Sequence, residues 1–509
     1  MLRKIRLLLA AIMMIGITWL FVDFTGTAHH FVGWMPKLQL LEAILALNVV
    51  VIVALVVLTL VFGRIYCSVI CPLGILQDIF GWFGKKAKKN RYTFSKEMKW
   101  LRIACFLLLL LAIPIGLSFM VQLLAPYSAF GRIATNVLQP VYVACNNVLA
   151  SIAEHNDSYV FYHSDLWLRS AASLGIAVVT LVVLAVLAWR NGRTYCNTIC
   201  PVGFLLSILS RFSWLKIRFD VEKCKNCSMC TKNCKASCID FKTHTVDATR
   251  CVVCGDCIES CKFGALSLSA QPLQKEREPK GTFPPPLEGS GEASFTEELG
   301  EASRRSFLIG SALLTTAALA QKKDKIMDGG LAEIEDKVAP ERQTPLTPPG
   351  SLSAQNMALR CTGCQLCISE CPNQVLRPSS DLMHLMQPVM SYERGYCRPE
   401  CNRCSEVCPA GAIKPIRHED KASTQIGHAV WIKKNCIALT DEVECGNCAR
   451  HCPTGAIEMV PSDPDNDESA YVPAVNEARC IGCGACEYLC PARPFSAIYV
   501  EGHEVHKEV

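Results

Sequence analysis

The chain has no glycine-rich dinucleotide fingerprint, so neither a nicotinamide nor a flavin site is indicated. Histidine is scarce, 11 in 509 residues. No two histidines share a long apolar run, which excludes a membrane haem b held by paired imidazoles. His29 and His30 are adjacent in a loop and read as solvated rather than ligating. The net charge is only +5 and sits in short basic loops, so nothing calls for a nucleic-acid partner. No A-x-A site follows the first apolar run, which argues against a secretory signal peptide there.

Cysteine is the opposite case, with 31 residues. Two quartets have the spacing C-x2-C-x2-C-x3-C-P: Cys361, Cys364, Cys367, Cys371 and Cys480, Cys483, Cys486, Cys490. Three thiolates of such a quartet wrap one face of a [4Fe–4S] cubane, and the fourth serves a neighbouring cluster. Two more quartets lie upstream: Cys224, Cys227, Cys230, Cys234 and Cys251, Cys254, Cys257, Cys261. Two variants complete the set: Cys397, Cys401, Cys404, Cys408 and Cys436, Cys445, Cys448, Cys452. Zinc sites and disulfide frameworks lack this compact rhythm. Six quartets, hence six [4Fe–4S] clusters, account for 24 of the cysteines. Small residues and then apolar ones follow several quartets (Gly264-Ala265-Leu266, Gly411-Ala412-Ile413, Gly455-Ala456-Ile457), predicting a short strand that covers each cluster.

Crossing over of fourth ligands predicts one cubane on Cys224, Cys227, Cys230 and Cys261 and another on Cys251, Cys254, Cys257 and Cys234. Cys238 trails Cys234 by four, so either can be the ligand; spacing favours Cys234. The later quartets pair either in sequence or nested, first with fourth and second with third.

The apolar residues concentrate in four runs, 5–21, 40–62, 101–124 and 166–189, each near the roughly 20 residues that span a bilayer. Lys and Arg flank the first run and follow the second and fourth, placing the N-terminus and the first two quartets on the cytoplasmic side. Residues 271–302 are rich in Pro, Glu and Gly and read as a disordered linker. Ser303-Arg304-Arg305-Ser306-Phe307-Leu308-Ile309 then opens an apolar run ending at Ala320, the pattern of a twin-arginine export signal; uncleaved, it is a fifth membrane segment. The quartets after it are expected outside the cytoplasm.

A second repeat lies in the membrane part. Gly63-Arg64-Ile65-Tyr66-Cys67-Ser68-Val69-Ile70-Cys71-Pro72 matches Gly192-Arg193-Thr194-Tyr195-Cys196-Asn197-Thr198-Ile199-Cys200-Pro201. Pseudo-twofold packing would gather Cys67, Cys71, Cys196 and Cys200 as ligands of a metal or cluster, or as redox-active disulfides. Cys105 and Cys145 have no partners by spacing and read as packing. Glu42, Asp23, Asp165 and Tyr127 lie near the outer boundary, where anchoring or solvation competes with a proton-relay role.

The expected fold is an α-helical membrane domain of four transmembrane helices (1–215) plus α+β ferredoxin-like iron–sulfur domains. A cytoplasmic two-cluster domain spans 216–270. Linker (271–302), signal or fifth segment (303–321) and second linker (322–356) lead to an exported four-cluster domain (357–509).

Residues up to Cys261 resemble NapH-type membrane ferredoxins: four helices, two C-x3-C-P motifs and two quartets. From Arg304 onward the chain resembles NapG-type exported ferredoxins, including the stretch from Met386-Gln387-Pro388 to Gly395-Tyr396-Cys397-Arg398-Pro399-Glu400-Cys401. The order of motifs is similar to that of a NapH–NapG fusion. The first two quartets depart from the pattern, lacking the proline after the fourth cysteine and adding Cys238. The resemblance implies a quinol dehydrogenase in the bacterial inner membrane. It would take electrons from menaquinol or ubiquinol in the quinone pool. It would pass them to a periplasmic terminal reductase, as in nitrate reduction, or to a c-type cytochrome. A maturation factor supplying electrons for metal-centre assembly and a quinone-independent conduit are the alternatives.

Overall fold

The computed structural model describes residues 2–23, 25–87, 92–115, 117–158, 160–270, 335–466 and 469–508. The predicted linker 271–302 and the twin-arginine segment 303–321 lie outside the described residues.

Helix α1 (Leu2–Val22) is continuous. The second apolar run is not. It divides into α2 (Leu40–Leu45) and α3 (Val49–Phe62). Leu47 adopts φ 56° at the break, and the Asn48 side chain accepts from Val51 N to start α3 afresh. The 14 residues of α3 rise about 21 Å, short of a hydrocarbon layer about 30 Å thick. A pair of short helices follows, α4 (Tyr66–Val69) and α5 (Pro72–Lys86). The third run forms α6 (Lys99–Ile115), with Pro114 in its last turn, and resumes as α7 (Ser118–Leu124). Proline removes a backbone donor and crowds the preceding turn, so the helix ends there. Next come α8 (Pro126–Ile133) and α9 (Gln139–His155), joined by a π-helical stretch. The fourth run becomes helical only at α10 (Ala171–Asn191), after Ser170 caps it. Four full-length spans were expected. Among the described residues, only Arg3–Val22 and Ala171–Asn191 are long and apolar enough to cross a membrane.

The internal repeat is explicit in the backbone. Both α3 and α10 end at a glycine with φ 70°, Gly63 and Gly192, the left-handed residue that closes a helix without a Cβ clash. Each is followed by a short helix carrying the first cysteine, α4 in one copy and α11 (Thr194–Thr198) in the other. Pro72 and Pro201 then start α5 and α12 (Pro201–Ser210) at the position where a missing N–H costs nothing.

The first ferredoxin module is enclosed by strands β1 (Leu215–Phe219) and β2 (Leu266–Ala270), antiparallel with Ile217 opposite Leu268. Two one-turn helices, α13 (Met229–Asn233) and α14 (Asp256–Ser260), pack between them.

The second set of quartets is built on three antiparallel strand pairings, most of them short. Strands β3 (Leu376–Pro378) and β4 (Pro388–Met390) pair. Strand β5 (Thr424–Trp431) pairs with the C-terminal β8 (Ile498–Glu508), and β6 (Ile457–Pro461) with β7 (Tyr471–Val475). Covering strands therefore follow Ala265 and Ala456 as expected. None follows Ala412, because the chain runs into Pro415 and pairs with Gly350 instead. Residues 335–356, expected within a linker, pack on this module. Arg342 makes two hydrogen bonds to buried Glu487, at 2.6 and 2.8 Å, and Leu346 is 1% exposed. Burying one leucine contributes about 1.5–3 kcal/mol, and Arg342 Nε to Val500 O and Thr344 N to Glu501 add further contacts that hold the segment.

The two modules bind opposite ends of α1. Near its start, Arg3 pairs with Asp256 (3.0 Å) and Glu259 of α14. Beyond its end, Gly26 packs under the Arg403 guanidinium.

Candidate iron–sulfur centres and the membrane thiols

Four quartets share one backbone device. Between the first and second cysteines, and again between the second and third, one residue is left-handed. The pairs are Asn226 and Ser228, Val253 and Gly255, Gly363 and Gln365, and Gly482 and Gly484, all with φ between 49° and 78°. Alternating handedness turns successive N–H groups inward and makes an anion-binding concavity. Gly484 has a second reason to be glycine, since the Tyr392 ring lies where a Cβ would project. The two variant quartets lack this alternation, as their longer first spacers require.

Fourth cysteines cross over. Cys224, Cys227, Cys230 and Cys261 line one cavity, walled by Phe219, Phe241, Phe263 and Leu266. Cys254 and Cys257 face Cys234. Cys251 lies beside Cys257 in the second set. Sequence left the pairing of the later quartets open, and here it is in order. Cys361, Cys364 and Cys367 face Cys408. Cys397 and Cys404 face Cys371. Cys448 faces Cys490 and lies beside Cys445, whose loop starts at buried Cys436. Cys480, Cys483 and Cys486 share a cavity with Cys452. The two pairs of quartets also meet: Cys397 N donates to Cys483 O at 2.9 Å. The sets therefore adjoin one another in series. The Cys361 set comes first, then the Cys397 set, the Cys480 set and the Cys436 set.

The residues fit iron–sulfur clusters on their own chemistry. Backbone N–H groups donate to the fourth cysteine's sulfur at Ala265→Cys261 (3.3 Å), Ala456→Cys452 (3.2 Å), Ala497→Cys490 (3.3 Å) and Ile413→Cys408 (3.5 Å). Such donors stabilise thiolate charge and set reduction potentials. Among the described residues no three His, Cys, Asp or Glu side chains converge tightly enough for a single ion; the thiols surround a volume instead. Cys234 and Cys238 lie 3.5 Å apart, sulfur to sulfur. The contact between them brings the Cys234 thiol down to about 7 and pushes Cys238 up, and Cys238 also contacts Cys251.

The duplicated motif does gather its four thiols. Cys67, Cys71, Cys196 and Cys200 are all buried, and Cys71 faces the other three. Two fully buried arginines cross between the copies. Arg64 donates to Cys196 O (3.1 Å) and Asn197 Oδ1 (3.1 Å), and Arg193 donates to Cys67 O (2.6 Å). Donors also reach sulfur: Gln77 Nε2 to Cys196 (3.2 Å), Gly203 N to Cys200 (3.4 Å) and Arg64 Nη2 to Cys67 (3.8 Å). A Cβ on Gly74 would strike the Cys67 carbonyl, and one on Gly203 the Cys196 carbonyl, so the motif's final glycine lets each copy fold back on its own first-cysteine turn. Sequence reading passed over both arginines, although their repetition before the tyrosine was visible.

Asp78 ties this group to the first ferredoxin module. It accepts both Arg193 nitrogens at 2.7 Å, Lys235 at 2.8 Å and Arg6 at 3.1 Å. Burial alone would raise its pKa, but Arg193 and Lys235 hold it well below the ordinary carboxylate range.

Of the boundary residues, Glu42 and Tyr127 are buried beneath the Cys361 loop, against Thr362 and Cys364. Asp23 accepts from Thr25 N and Ala28 N and closes its own turn. Asp165 is exposed. Cys105 is half-buried, while Cys145, expected to pack, is exposed. A cleft of about 700 Å³ opens between α1 and α5. Its walls are apolar (Leu7, Ala11, Met14, Ile79) and its inner end polar (Arg6, Gln77). Gln77 Oε1 and Arg6 Nε are buried there without a partner.

The family described as 4Fe-4S binding domain matches residues 44–91 and again 171–222, the two copies of the repeat. The 4Fe-4S dicluster domain family matches residues 443–493. The putative electron transport protein YccM of Escherichia coli (strain K12) is 27% identical over 45% of this chain and 63% of its own length. The ferredoxin-type protein NapF of Escherichia coli (strain K12) is 30% identical over 31% of this chain and 87% of its own. The methylamine utilization ferredoxin-type protein MauM of Methylobacillus flagellatus is 30% identical over 32% of this chain and 70% of its own. The chain spans 63% or less of YccM and of the two MauN proteins it matches. No solved structure matches it.

Proposed function

Because the chain belongs to the ferredoxin-type 4Fe-4S proteins and is an iron–sulfur electron-transfer protein, we propose that it is a membrane-bound quinol dehydrogenase with six [4Fe–4S] clusters. It takes electrons from the quinone pool and delivers them to a redox partner on the far side, a terminal reductase or c-type cytochrome. In this reading the NapH-like half is anchored by α1 and α10, with its module cytoplasmic, and the NapG-like half is exported. Bound [4Fe–4S] clusters supply one-electron carriage. Quinol gives up two electrons and two protons, so the site must hold a ring, accept hydrogen bonds and lie next to the carriers.

The cleft between α1 and α5 carries this reading. Its size and mostly apolar lining fit a prenylated ring and tail. Gln77 Oε1 is free to accept from a quinol hydroxyl, and Arg6 Nε to donate to a quinone carbonyl. Asp256 and Lys235, which border the Cys254 loop, form its rim. The serial adjacency of the four later thiol sets supports onward transfer from one to the next.

The test is anaerobic reduction of the purified, detergent-solubilised chain by menaquinol, followed by EPR. Cluster signals should grow with added quinol. A full set of clusters that dithionite reduces and quinol does not would overturn the reading. Ala11→Trp, which fills the cleft, is expected to slow quinol-driven reduction at least about tenfold through overpacking, while dithionite-reduced spectra stay unchanged.

A further inference from the structure

We propose that Cys67, Cys71, Cys196 and Cys200 are the ligands of one further iron–sulfur centre, a seventh, which joins the two ferredoxin modules electronically. The proposal deepens the reading above and rests on it for the direction of electron flow, though not for the centre itself.

Chemistry argues first. Four buried thiols face one another across a pseudo-twofold axis. Three of them receive a donor from outside the set: an amide, a backbone N–H and a guanidinium. Arg64 and Arg193 are fully buried beside them, and among the described residues only Arg193 is answered by a carboxylate. A cluster held by four thiolates is anionic, so the spare positive charge and the donors are what such a centre requires. Four neutral thiols would leave the Arg64 charge buried without a counter-ion.

Position argues second. Asn197 Nδ2 donates to Ala236 O at 3.0 Å, and Arg193 N to Lys235 O at 2.8 Å. The set is thus one residue layer from Cys234, a thiol of the nearer cytoplasmic cluster. On the other side each copy of the motif contributes a tyrosine, buried Tyr66 and half-buried Tyr195. Tyr66 lies between Cys71 and Glu42, and Glu42 lies against Cys364. Tyr195 lies between Cys200 and Arg132, and Arg132 faces Cys364. Two equivalent chains of side chains therefore lead from these thiols to the first exported set. Each passage takes in one electron from the cytoplasmic side and gives one out toward Cys364, with no bond or proton change.

The experiment is an iron count with Mössbauer and EPR spectroscopy on the full chain, purified without oxygen, paired with mass-spectrometric mapping of alkylated thiols. About 28 iron atoms per chain are expected for seven cubanes, against about 24 for six, with these four cysteines protected until iron is chelated. A two-iron centre would give about 26 with the same protection and would equally bear the proposal out. The double variant Cys67→Ser, Cys196→Ser should lose only that increment and keep the other EPR signals. A count of about 24 with the four cysteines alkylated at once, or linked as disulfides, overturns the proposal. The wild-type count decides even if the variant does not fold. Quinol reduction of a chain with about 24 iron atoms would leave the dehydrogenase reading standing while this inference fell.

Discussion

Asp78→Asn is expected to lower the stability of the assembled helices and first ferredoxin module by roughly 3–5 kcal/mol, the cost of removing one partner from a buried ion pair. The carboxylate is the only counter-ion that the described residues offer to the fully buried Arg193, and it also receives Lys235 and Arg6. Asparagine keeps the shape and leaves three cations facing a neutral amide. Thermal unfolding in detergent, followed by loss of cluster absorbance, measures the effect. A midpoint unchanged from wild type would mean that Asp78 holds nothing together. The pH dependence has a definite sign. The folded pKa lies below the ordinary carboxylate value of about 3.9, so this contribution is complete above about pH 4 and is lost as pH falls below it. The variant should therefore differ from wild type at neutral pH and approach it in acid.

Double substitutions test the crossed pairing. Cys361→Ser with Cys408→Ser removes two ligands of one centre and is expected to cost about four iron atoms per chain. Cys404→Ser with Cys408→Ser touches two centres and should cost about eight. Equal losses in the two proteins would contradict the arrangement in which Cys364 and Cys367 face Cys408 while Cys404 faces Cys371. EPR of the dithionite-reduced proteins gives a second reading, since the line of centres is interrupted at its first member in one case and its first two in the other.

Cluster loops were legible because iron–sulfur ligation is local: cysteines two residues apart, with a left-handed residue between them, make the concavity from one short stretch. The crossing of fourth ligands within the first module followed from the same rule, and Cys234, Cys261 and their partners lie as that rule requires. Long apolar helices were less legible. Hydropathy adds residues without noticing that Leu47 and Asn48 break one run, that Pro114 shortens another, or that Ser170 delays a third.

The sequence alone determined the carrier. Its spacing of cysteines requires iron–sulfur chemistry, and its repeated Gly-Arg-x-Tyr-Cys-x3-Cys-Pro motif requires two equivalent structural units. Tertiary structure decided how these parts connect: in-order pairing of the later quartets, the contact of Cys397 with Cys483, and the gathering of Cys67, Cys71, Cys196 and Cys200 between buried arginines. The last two of those relations join residues 86 to 133 positions apart in the chain. Spacing rules act over one or two turns, whereas which distant loops meet is set by how helices and strands bury their apolar faces against each other.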